Sequence, residues 1–195
     1  MRIVKSDEEG LEAAAKVLLA GGVAVIPTDT VYGLAAHPDF PEAVDRLYTI
    51  KGREAKKPIA LLASDVGVVE RAGYQITGKA CELVKHWPGG LTLILAKSTL
   101  NPQLSTLNSA EGFRVPDHDW TRRLLAKCGG LLRVTSANLS GQRAATDAPA
   151  ALADVGLSAD IVVDDGISPG GVPSTVVKVD PKGSLEVLRR GGVEI

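Results

Sequence analysis

Apolar positions recur along the chain with two different periods, and helical and extended segments alternate. Between residues 7 and 20 the apolar side chains, from Leu11 to Leu19, fall on one helical face. The spacing predicts a helix there, with Gly21-Gly22 as its stop. The next four residues, VAVI at 23–26, are all apolar. They predict a short buried strand that ends at Pro27.

The same patterns predict the remaining elements and the fold class. Two strands around Pro181-Lys182-Gly183 predict a hairpin near the end of the sequence. Because helices and strands interleave, we expect an α/β fold, with a twisted, mostly mixed and antiparallel sheet and packed helices. A length of 195 residues fits a single domain spanning 1–195. The further predicted helices are one opening at Pro41 and those at 65–72, 77–87, 119–128 and 148–155; the further strands are 59–63, 91–96, 111–115, 131–135 and 160–163.

The cysteines and the apolar runs of the sequence predict the cellular compartment. Cys81 and Cys128 lie in apolar, helix-like contexts without CxxC spacing, which predicts two buried, reduced thiols and a cytoplasmic protein. The acidic residues near the N-terminus are unlike a secretory signal. No apolar run approaches the ~20 residues that cross a membrane. We therefore expect a soluble protein without membrane contact.

Charge is balanced overall but not locally. A formal net charge of −1 argues against a protein whose main role is to bind the nucleic-acid backbone. The segment KGREAKK at 51–57, however, is strongly basic and leads into Pro58 and a predicted strand. It could be a solvated helix end, since cations favour a last helical turn. Because the segment runs into a buried strand, this interpretation is weakened, and the segment is well placed to bind phosphates, with Arg53 as a fork and Lys51 and Lys57 as point charges.

Most polar clusters follow an apolar strand. PTDT follows VAVI, TSANLSG follows LLRV, and Arg114 lies within FRVP. Ligands of open α/β sheets usually bind beyond the carboxyl ends of the strands. Each cluster also has a plainer interpretation, because Thr28 to Thr30 could form a hydroxyl-stabilised turn and Ser136-Ala137-Asn138 a cap. Without a GxxxxGK[ST], GxGxxG or nucleophile-elbow motif, the residues alone indicate an anion site lined by hydroxyls.

Taken together, the clusters carry a family resemblance that extends over nearly the whole chain. The chain resembles the YrdC family, and within it the single-domain threonylcarbamoyl-AMP synthases. The resemblance implies a concave, positively charged cavity. It also implies conversion of L-threonine, bicarbonate or carbon dioxide and ATP into L-threonylcarbamoyl-AMP and pyrophosphate. The segments that carry it occur in family order: PTDTVYGL, IKGREAKKPIALL, WPGGLTLIL, FRVPDH, TSANLSG, PSTVV and VLRRGG.

The resemblance also implies roles for individual residues. No residue is assigned as a general acid or base or as a metal ligand, and because the sequence shows no convincing carboxylate cluster, Mg²⁺ would arrive with ATP and be held mainly by the nucleotide. Asp29 receives no role. The implied threonine-binding residues are Thr28, Thr30, Tyr32, Arg114 and Ser174; the implied ATP-binding residues are Lys51, Arg53, Lys57, Ser136, Asn138 and Arg189.

Partners follow from the same resemblance. The product would pass to a tRNA threonylcarbamoyl-transferring complex that modifies an adenosine beside the anticodon, and weak tRNA binding is a further expectation. An alternative from another class is an RNA-binding module with a concave basic face and no chemistry. A third interpretation, carbamoyl transfer as in hydrogenase-maturation proteins, fits less well, because those chains carry cysteine-rich zinc modules.

Overall fold

The computed structural model of the protein describes residues 2–52, 54, 58–97, 109–180 and 183–195. Within them, ten strands form a single sheet. The strands are β1 (Arg2–Lys5), β2 (Val23–Ile26), β3 (Gly33–Ala36), β4 (Leu61–Ala63), β5 (Leu91–Ala96), β6 (Ala110–Arg114), β7 (Leu131–Ser136), β8 (Ile161–Asp164), β9 (Thr175–Val179) and β10 (Leu185–Arg189).

Six α-helices pack against this sheet in the described part of the chain. Three of them begin at Asp caps whose carboxylates accept from backbone N–H groups: Asp7 from Gly10, Asp65 from Val68 and Asp147 from Ala150. The helices are α1 (Glu8–Leu19), α2 (Pro41–Lys51), α3 (Val66–Arg71), α4 (Lys79–Leu83), α5 (Asp119–Lys127) and α6 (Ala148–Asp154).

The sheet is mixed, in the order β1-β8-β2-β3-β7-β4-β6-β5-β9-β10. Among the described strands, β1–β8, β2–β8, β4–β6 and β5–β9 pair parallel, and the other neighbours pair antiparallel. The α/β fold class with a mixed sheet is therefore confirmed, and β9–β10 is the predicted hairpin, whose Pro181 and Lys182 lie outside the described residues.

Three apolar cores hold the helices to the sheet. One lies beneath α1 and α5, a second between α2, α6 and the centre of the sheet, and a third beneath α3 and α4. The third core contains Leu93 of β5 and Phe113 of β6, both fully buried. Each such side chain stabilises the fold by about 1.5–3 kcal/mol. This core is the support on which the neighbouring polar residues of β5 and β6 are held.

An ion pair is buried in the third core. Glu111 of β6 and Arg133 of β7 form two bonds, with Arg133 Nη1 to Glu111 Oε2 at 2.6 Å and Nη2 to Oε1 at 2.5 Å. Their side chains are only 1% and 12% exposed. Arg133 also donates to the Ile59 carbonyl at 2.7 Å. The pair thus links the chain just before β4 to the strands β6 and β7.

Several predictions about local structure were wrong. The strands β1 and β3 were not predicted, and the single helix expected over 77–87 is the short helix α4 followed by a 3-10 turn at Val84–His86. Gly78 precedes α4 with a φ of 55°, a value that glycine adopts without strain. Cys128 is buried as expected, but Cys81 is exposed.

Candidate active site

A cavity of about 610 Å³ opens on one face of the sheet, a size typical of small-molecule sites. Successive residues of a strand point to opposite faces. Thr92 of β5 and Arg114 of β6 therefore line the cavity, while Leu93 and Phe113 enter the third core. The cavity brings together seven of the residues named in the sequence analysis: Thr28, Thr30, Tyr32, Arg114, Ser136, Ser174 and Arg189.

The PTDT segment forms a turn that is built around hydroxyl groups. Thr28 Oγ1 donates to the Val31 carbonyl at 2.7 Å and lies 3.1 Å from Thr30 Oγ1. Since a hydroxyl has one hydrogen, which Thr28 gives to Val31, the Thr30 hydroxyl donates to Thr28. The turn interpretation therefore holds for Thr28, whose hydroxyl is occupied. Thr30 lines the cavity, and its Oγ1 also accepts from Arg114 Nη1 at 2.7 Å.

Arg114 is buried and held at three points. Its Nε donates to the Gly89 carbonyl at 2.9 Å, Nη1 donates to Thr30 Oγ1 at 2.7 Å, and Nη2 bonds to the Asp29 carboxylate. Burial lowers the pKa of Arg114, an effect that Asp29 opposes, and a guanidinium remains charged in proteins. Among the described residues these bonds occupy three of its N–H groups. The cavity thus contains a fixed cation with N–H groups left for a ligand.

Asp29 is a residue of the site that the sequence did not identify. Its side chain is 12% exposed and pairs with Arg114, yet it is not part of the cavity lining. Asp29 therefore contacts Arg114 from outside the cavity lining, where it fixes the orientation of the guanidinium and balances its charge. The only signal in the sequence is its place between Thr28 and Thr30.

Ser174 lies at the meeting point of two other polar groups. Its Oγ is 2.8 Å from Thr92 Oγ1 and accepts from Arg189 Nη2 at 3.0 Å. Arg189 Nε also donates to the Ser174 carbonyl at 3.0 Å. Arg189, which the resemblance assigns to ATP, is thus located beside a predicted threonine contact. Thr92 was not predicted, because a single hydroxyl in the apolar run LTLILA gives no signal of its own.

Tyr32 lines the cavity, but its hydroxyl is engaged elsewhere. The phenol donates to the Gly166 carbonyl at 2.8 Å and accepts from Asp165 N–H at 2.9 Å. Neither partner belongs to the cavity lining. The same loop after β8 meets the PTDT turn again at Gly170, whose N–H donates to the Asp29 carbonyl at 2.9 Å. A Cβ at Gly170 would lie 2.6 Å from that oxygen. Tyr32 therefore braces the loop that leads to Ser174.

Tyr32→Phe should lower the free energy of unfolding by about 1–3 kcal/mol, because Asp165 N–H and the Gly166 carbonyl lose their partner. Burial raises the pKa of Tyr32 from 10.0 to about 12. The fold therefore favours the neutral phenol, whose contribution is complete below pH 10 and is lost as pH rises towards 12. Urea unfolding of both proteins should show their difference shrinking over that range.

Tyr48→Phe is the matched control for this experiment, since the structure gives the Tyr48 hydroxyl no hydrogen bond to a described residue and the side chain is only partly buried. It should change stability by less than about 0.5 kcal/mol. A Tyr32→Phe protein as stable as the wild type would show that the phenol does not brace the loop.

A second, smaller cavity of about 320 Å³ lies beside the first. Lys51, at the end of α2, is buried there, and its Nζ donates to the Ser136 and Asn138 carbonyls, both at 2.5 Å. Asn138 Nδ2 donates to the carbonyls of Leu139 and Gln142. Asn138 therefore organises the turn that follows it by donating to carbonyls, without capping a helix, and Lys51 fixes this turn.

The remaining predicted groups fall outside what the structure describes. Arg53 and Lys57 belong to the undescribed residues, so the basic character of the cavity along that segment stays a prediction. Within the described ranges, no group of three or more His, Cys, Asp or Glu side chains is arranged to hold a metal ion. No described helix combines the length and apolarity needed to cross a membrane.

Comparison with known proteins identifies the family. The model of the Sua5/YciO/YrdC family, described as telomere recombination, matches residues 16–191. The chain belongs to the Sua5/YciO/YrdC family. This confirms the resemblance found in the sequence, and the curated family members that the chain matches include threonylcarbamoyl-AMP synthases. The chain is 35% identical to the Bos taurus threonylcarbamoyl-AMP synthase over 94% of its own length and 68% of that protein. A putative threonylcarbamoyl-AMP synthase of Mycobacterium leprae is 33% identical over 95% of this chain and 84% of its own length.

Solved structures of Sua5/YciO/YrdC proteins share the fold. Pyrococcus abyssi Sua5, in a structure complexed with L-threonine, matches with a TM-score of 0.85 and 30% identity, over 97% of this chain. The chain spans 57% of the length of that protein. Escherichia coli YciO matches with a TM-score of 0.81 at 24% identity, over 97% of this chain and 94% of YciO. At that identity the likeness to YciO extends to the fold alone.

Proposed function

We propose that the protein synthesises L-threonylcarbamoyl-AMP from L-threonine, bicarbonate or carbon dioxide and ATP, with release of pyrophosphate. The product would serve the modification of an adenosine beside the tRNA anticodon. The observation that carries the proposal is the buried guanidinium of Arg114, which shares one cavity with the hydroxyls of Thr30 and Ser174. Membership of a family whose curated proteins are named threonylcarbamoyl-AMP synthases supports it.

The amino acid would bind at the Arg114 end of the cavity. A carboxylate can accept from the N–H groups that Arg114 does not use for Gly89, Thr30 and Asp29. Thr30 Oγ1 donates to Thr28 and accepts from Arg114, so its remaining lone pair suits a donor such as the threonine amine or hydroxyl. That Pyrococcus abyssi Sua5 has a structure complexed with L-threonine supports threonine as the amino acid.

The nucleotide would extend from the main cavity towards the second one. Lys51 and Asn138 shape that cavity, and we propose that Arg53 and Lys57 add phosphate contacts. Arg189, which donates to Ser174 Oγ at 3.0 Å, would add a further nucleotide contact in the main cavity. Since the described residues contain no carboxylate cluster, Mg²⁺ would enter as part of its ATP complex and be held by the phosphates.

The proposed reaction depends on positioning the substrates and stabilising charge, and it requires no covalent intermediate with the protein. The threonine amine, unprotonated, adds to carbon dioxide to give a carbamate. An oxygen of that carbamate then attacks the α-phosphorus, and pyrophosphate leaves. The carbamate and the mixed anhydride are both labile in water, so a cavity that excludes water protects them. Fixed donors such as Arg114 are suited to such a step because they need no reorganisation.

The alternative function, an RNA-binding module without chemistry, has less support. A surface that binds the phosphate backbone needs basic side chains that are not neutralised by neighbours. On the described surface, many basic residues are paired with acids: Arg2 with Glu9, Arg46 with Asp160, Arg123 with Glu8 and Lys127 with Glu12.

The proposal is tested by pyrophosphate release from ATP and Mg²⁺, with threonine and bicarbonate omitted in turn. Release should require both, and the product should be an acid-labile adenylate with the mass of threonylcarbamoyl-AMP. Release that needs neither, or no release together with steeply salt-dependent RNA binding, would favour the alternative. The product would then be offered to a tRNA threonylcarbamoyl-transferring complex to test the tRNA role.

A further inference from the structure

Two buried hydroxyl groups of the main cavity carry one hydrogen more than their described partners accept. Thr92 Oγ1 lies 2.8 Å from Ser174 Oγ, which also accepts from Arg189 Nη2 at 3.0 Å. Each hydroxyl has a single hydrogen, and only one of the two can lie between the oxygens. Apart from these contacts, neither hydroxyl has a hydrogen bond to a described residue. One O–H donor of the pair is therefore left for a ligand.

The remaining donor is buried within the cavity wall. Thr92 and Ser174 are only 5% and 6% exposed, and both line the cavity. A buried donor without an acceptor costs free energy. Valine has the same branched shape as threonine and would avoid that cost. The hydroxyl of Thr92, within the otherwise apolar run LTLILA, therefore indicates a ligand that accepts its hydrogen bond.

The order of donors in this group follows from the charge of Arg189. A guanidinium that donates to Ser174 Oγ polarises the serine hydroxyl and makes it a stronger donor. Ser174 therefore gives its hydrogen to Thr92, and Thr92 gives its own to the ligand. The strand fixes this hydroxyl in place, because Leu91 and Leu93 on either side of Thr92 are fully buried in the third core.

Thr92 lies between two arginines that line the cavity. The antiparallel register pairs Leu93 of β5 with Phe113 of β6, so that one step further Thr92 is opposite Arg114. On its other side Thr92 reaches Arg189 through Ser174. In the proposed function, on which this inference rests, Arg114 holds the amino-acid carboxylate and Arg189 contacts the nucleotide. The donor thus lies where the amino acid would be joined to the nucleotide.

The group that joins them is the carbamate, since its carbon links the threonine nitrogen to the phosphate of AMP in the proposed product. We propose that Thr92 is a catalytic residue whose hydroxyl donates to the carbamate, and that it forms the subsite for carbon dioxide. The carbamate is an anion, which suits a polarised donor that lies between two cations.

The carbamate forms when the unprotonated amine of threonine bonds through nitrogen to the carbon of carbon dioxide. One carbon–oxygen π bond breaks, and its electron pair becomes the negative charge of a carbamate oxygen. The nitrogen releases a proton to water. One carbamate oxygen later attacks the α-phosphorus, while Thr92 donates to the other. Thr92 forms no covalent bond and transfers no proton.

The test is Thr92→Val, assayed by pyrophosphate release with bicarbonate varied at saturating threonine and ATP. The substitution keeps the β-branched shape and removes the hydroxyl. The kcat/KM for bicarbonate should fall about 10- to 150-fold, the factor for loss of a hydrogen bond to a charged group. The KM for ATP should stay within about threefold of wild type, because the nucleotide contacts are intact.

Threonine binding without bicarbonate separates this role from an ordinary amino-acid contact. In buffer freed of carbon dioxide, calorimetric titration should give Thr92→Val a threonine Kd within about threefold of wild type. Thr92→Ser keeps the hydroxyl and should restore most of the kcat/KM for bicarbonate. The matched control is Thr77→Val, at an exposed position outside both cavities, and it should leave all of these values unchanged.

The contrary results identify what Thr92 does instead. If Thr92→Val weakens threonine binding in the absence of bicarbonate, or raises only the KM for ATP, Thr92 contacts that substrate and the inference is wrong. An unimpaired Thr92→Val variant, or a Thr92→Ser variant as impaired as Thr92→Val, also refutes a role for the hydroxyl. In each of these cases the wild type remains an active synthase. A wild type without threonine-dependent release refutes the proposed function itself.

Discussion

Replacing Arg114 by alanine is expected to weaken threonine binding by about 2–5 kcal/mol, or roughly 30- to 4,000-fold in Kd. The substitution removes the buried cation that would hold the substrate carboxylate. It also leaves the Asp29 carboxylate, 12% exposed, without its partner. The uncompensated carboxylate would then repel the carboxylate of an incoming amino acid. Calorimetric titration with threonine measures the effect directly.

Two control variants test whether the effect of Arg114 comes from its charge, from the geometry of its guanidinium, or from the loss of any arginine. Arg114→Lys keeps the charge but loses the planar fork that contacts Gly89, Thr30 and Asp29, so we expect an intermediate loss. Arg123→Ala removes an arginine whose partner Glu8 is 64% exposed, and threonine affinity should not change. If Arg114→Ala left threonine binding intact and weakened ATP binding instead, the amino-acid end of the cavity would be wrongly assigned.

Replacing Glu111 by alanine should lower the free energy of unfolding by about 3–5 kcal/mol, the cost of leaving one partner of a buried ion pair uncompensated. Arg133, 12% exposed, would keep its charge beneath the sheet while losing both bonds to Glu111. At about 2–4 °C per kcal/mol for a chain of this size, the Tm should fall clearly. Chemical and thermal unfolding of the variant measure the loss.

A double replacement distinguishes lost charge pairing from lost packing. Glu111→Leu with Arg133→Met removes both charges and keeps apolar volume, so much of the lost stability should return. Glu8→Ala breaks an exposed pair and should cost less than about 1 kcal/mol. A loss below about 1 kcal/mol for Glu111→Ala would mean that Arg133 finds other compensation and that the pair is not a main support of the sheet.

The hydrophobic pattern predicted the elements whose sequences carry their own signal. α1 and α5 have strongly one-sided apolar faces with Asp7 or His118 as cap, and both lie within a residue or two of their predicted bounds. β3, with the sequence GLAA, was missed because glycine and alanine have low strand propensity. It is a strand only because β2 and β7 pair with it on either side. Such tertiary support cannot be read from a local window.

Some residues of the candidate site could likewise be predicted from the sequence, and others could not. Thr30 and Arg114 were identified by family motifs, and the structure brings them into contact at 2.7 Å. Thr92 and Asp29 were not, because their importance comes from partners that are remote in sequence. The partners of the Tyr32 hydroxyl are also remote, at residues 165 and 166. The sequence indicates where hydroxyls and charges are placed, whereas the fold determines which of them are already bonded.

The parallel pairing of β5 with β9 has a consequence for how the protein becomes active during synthesis. Ser174 and Arg189 reach the cavity only through β9 and β10, which add to the sheet beside β5. A nascent chain translated only as far as β8 can already pair β1, β2, β3, β7 and β8. Its cavity would still lack one wall. That wall forms only when β9 has been synthesised and has paired with β5, a strand far from it in sequence, and such non-local pairing is a slow step in folding.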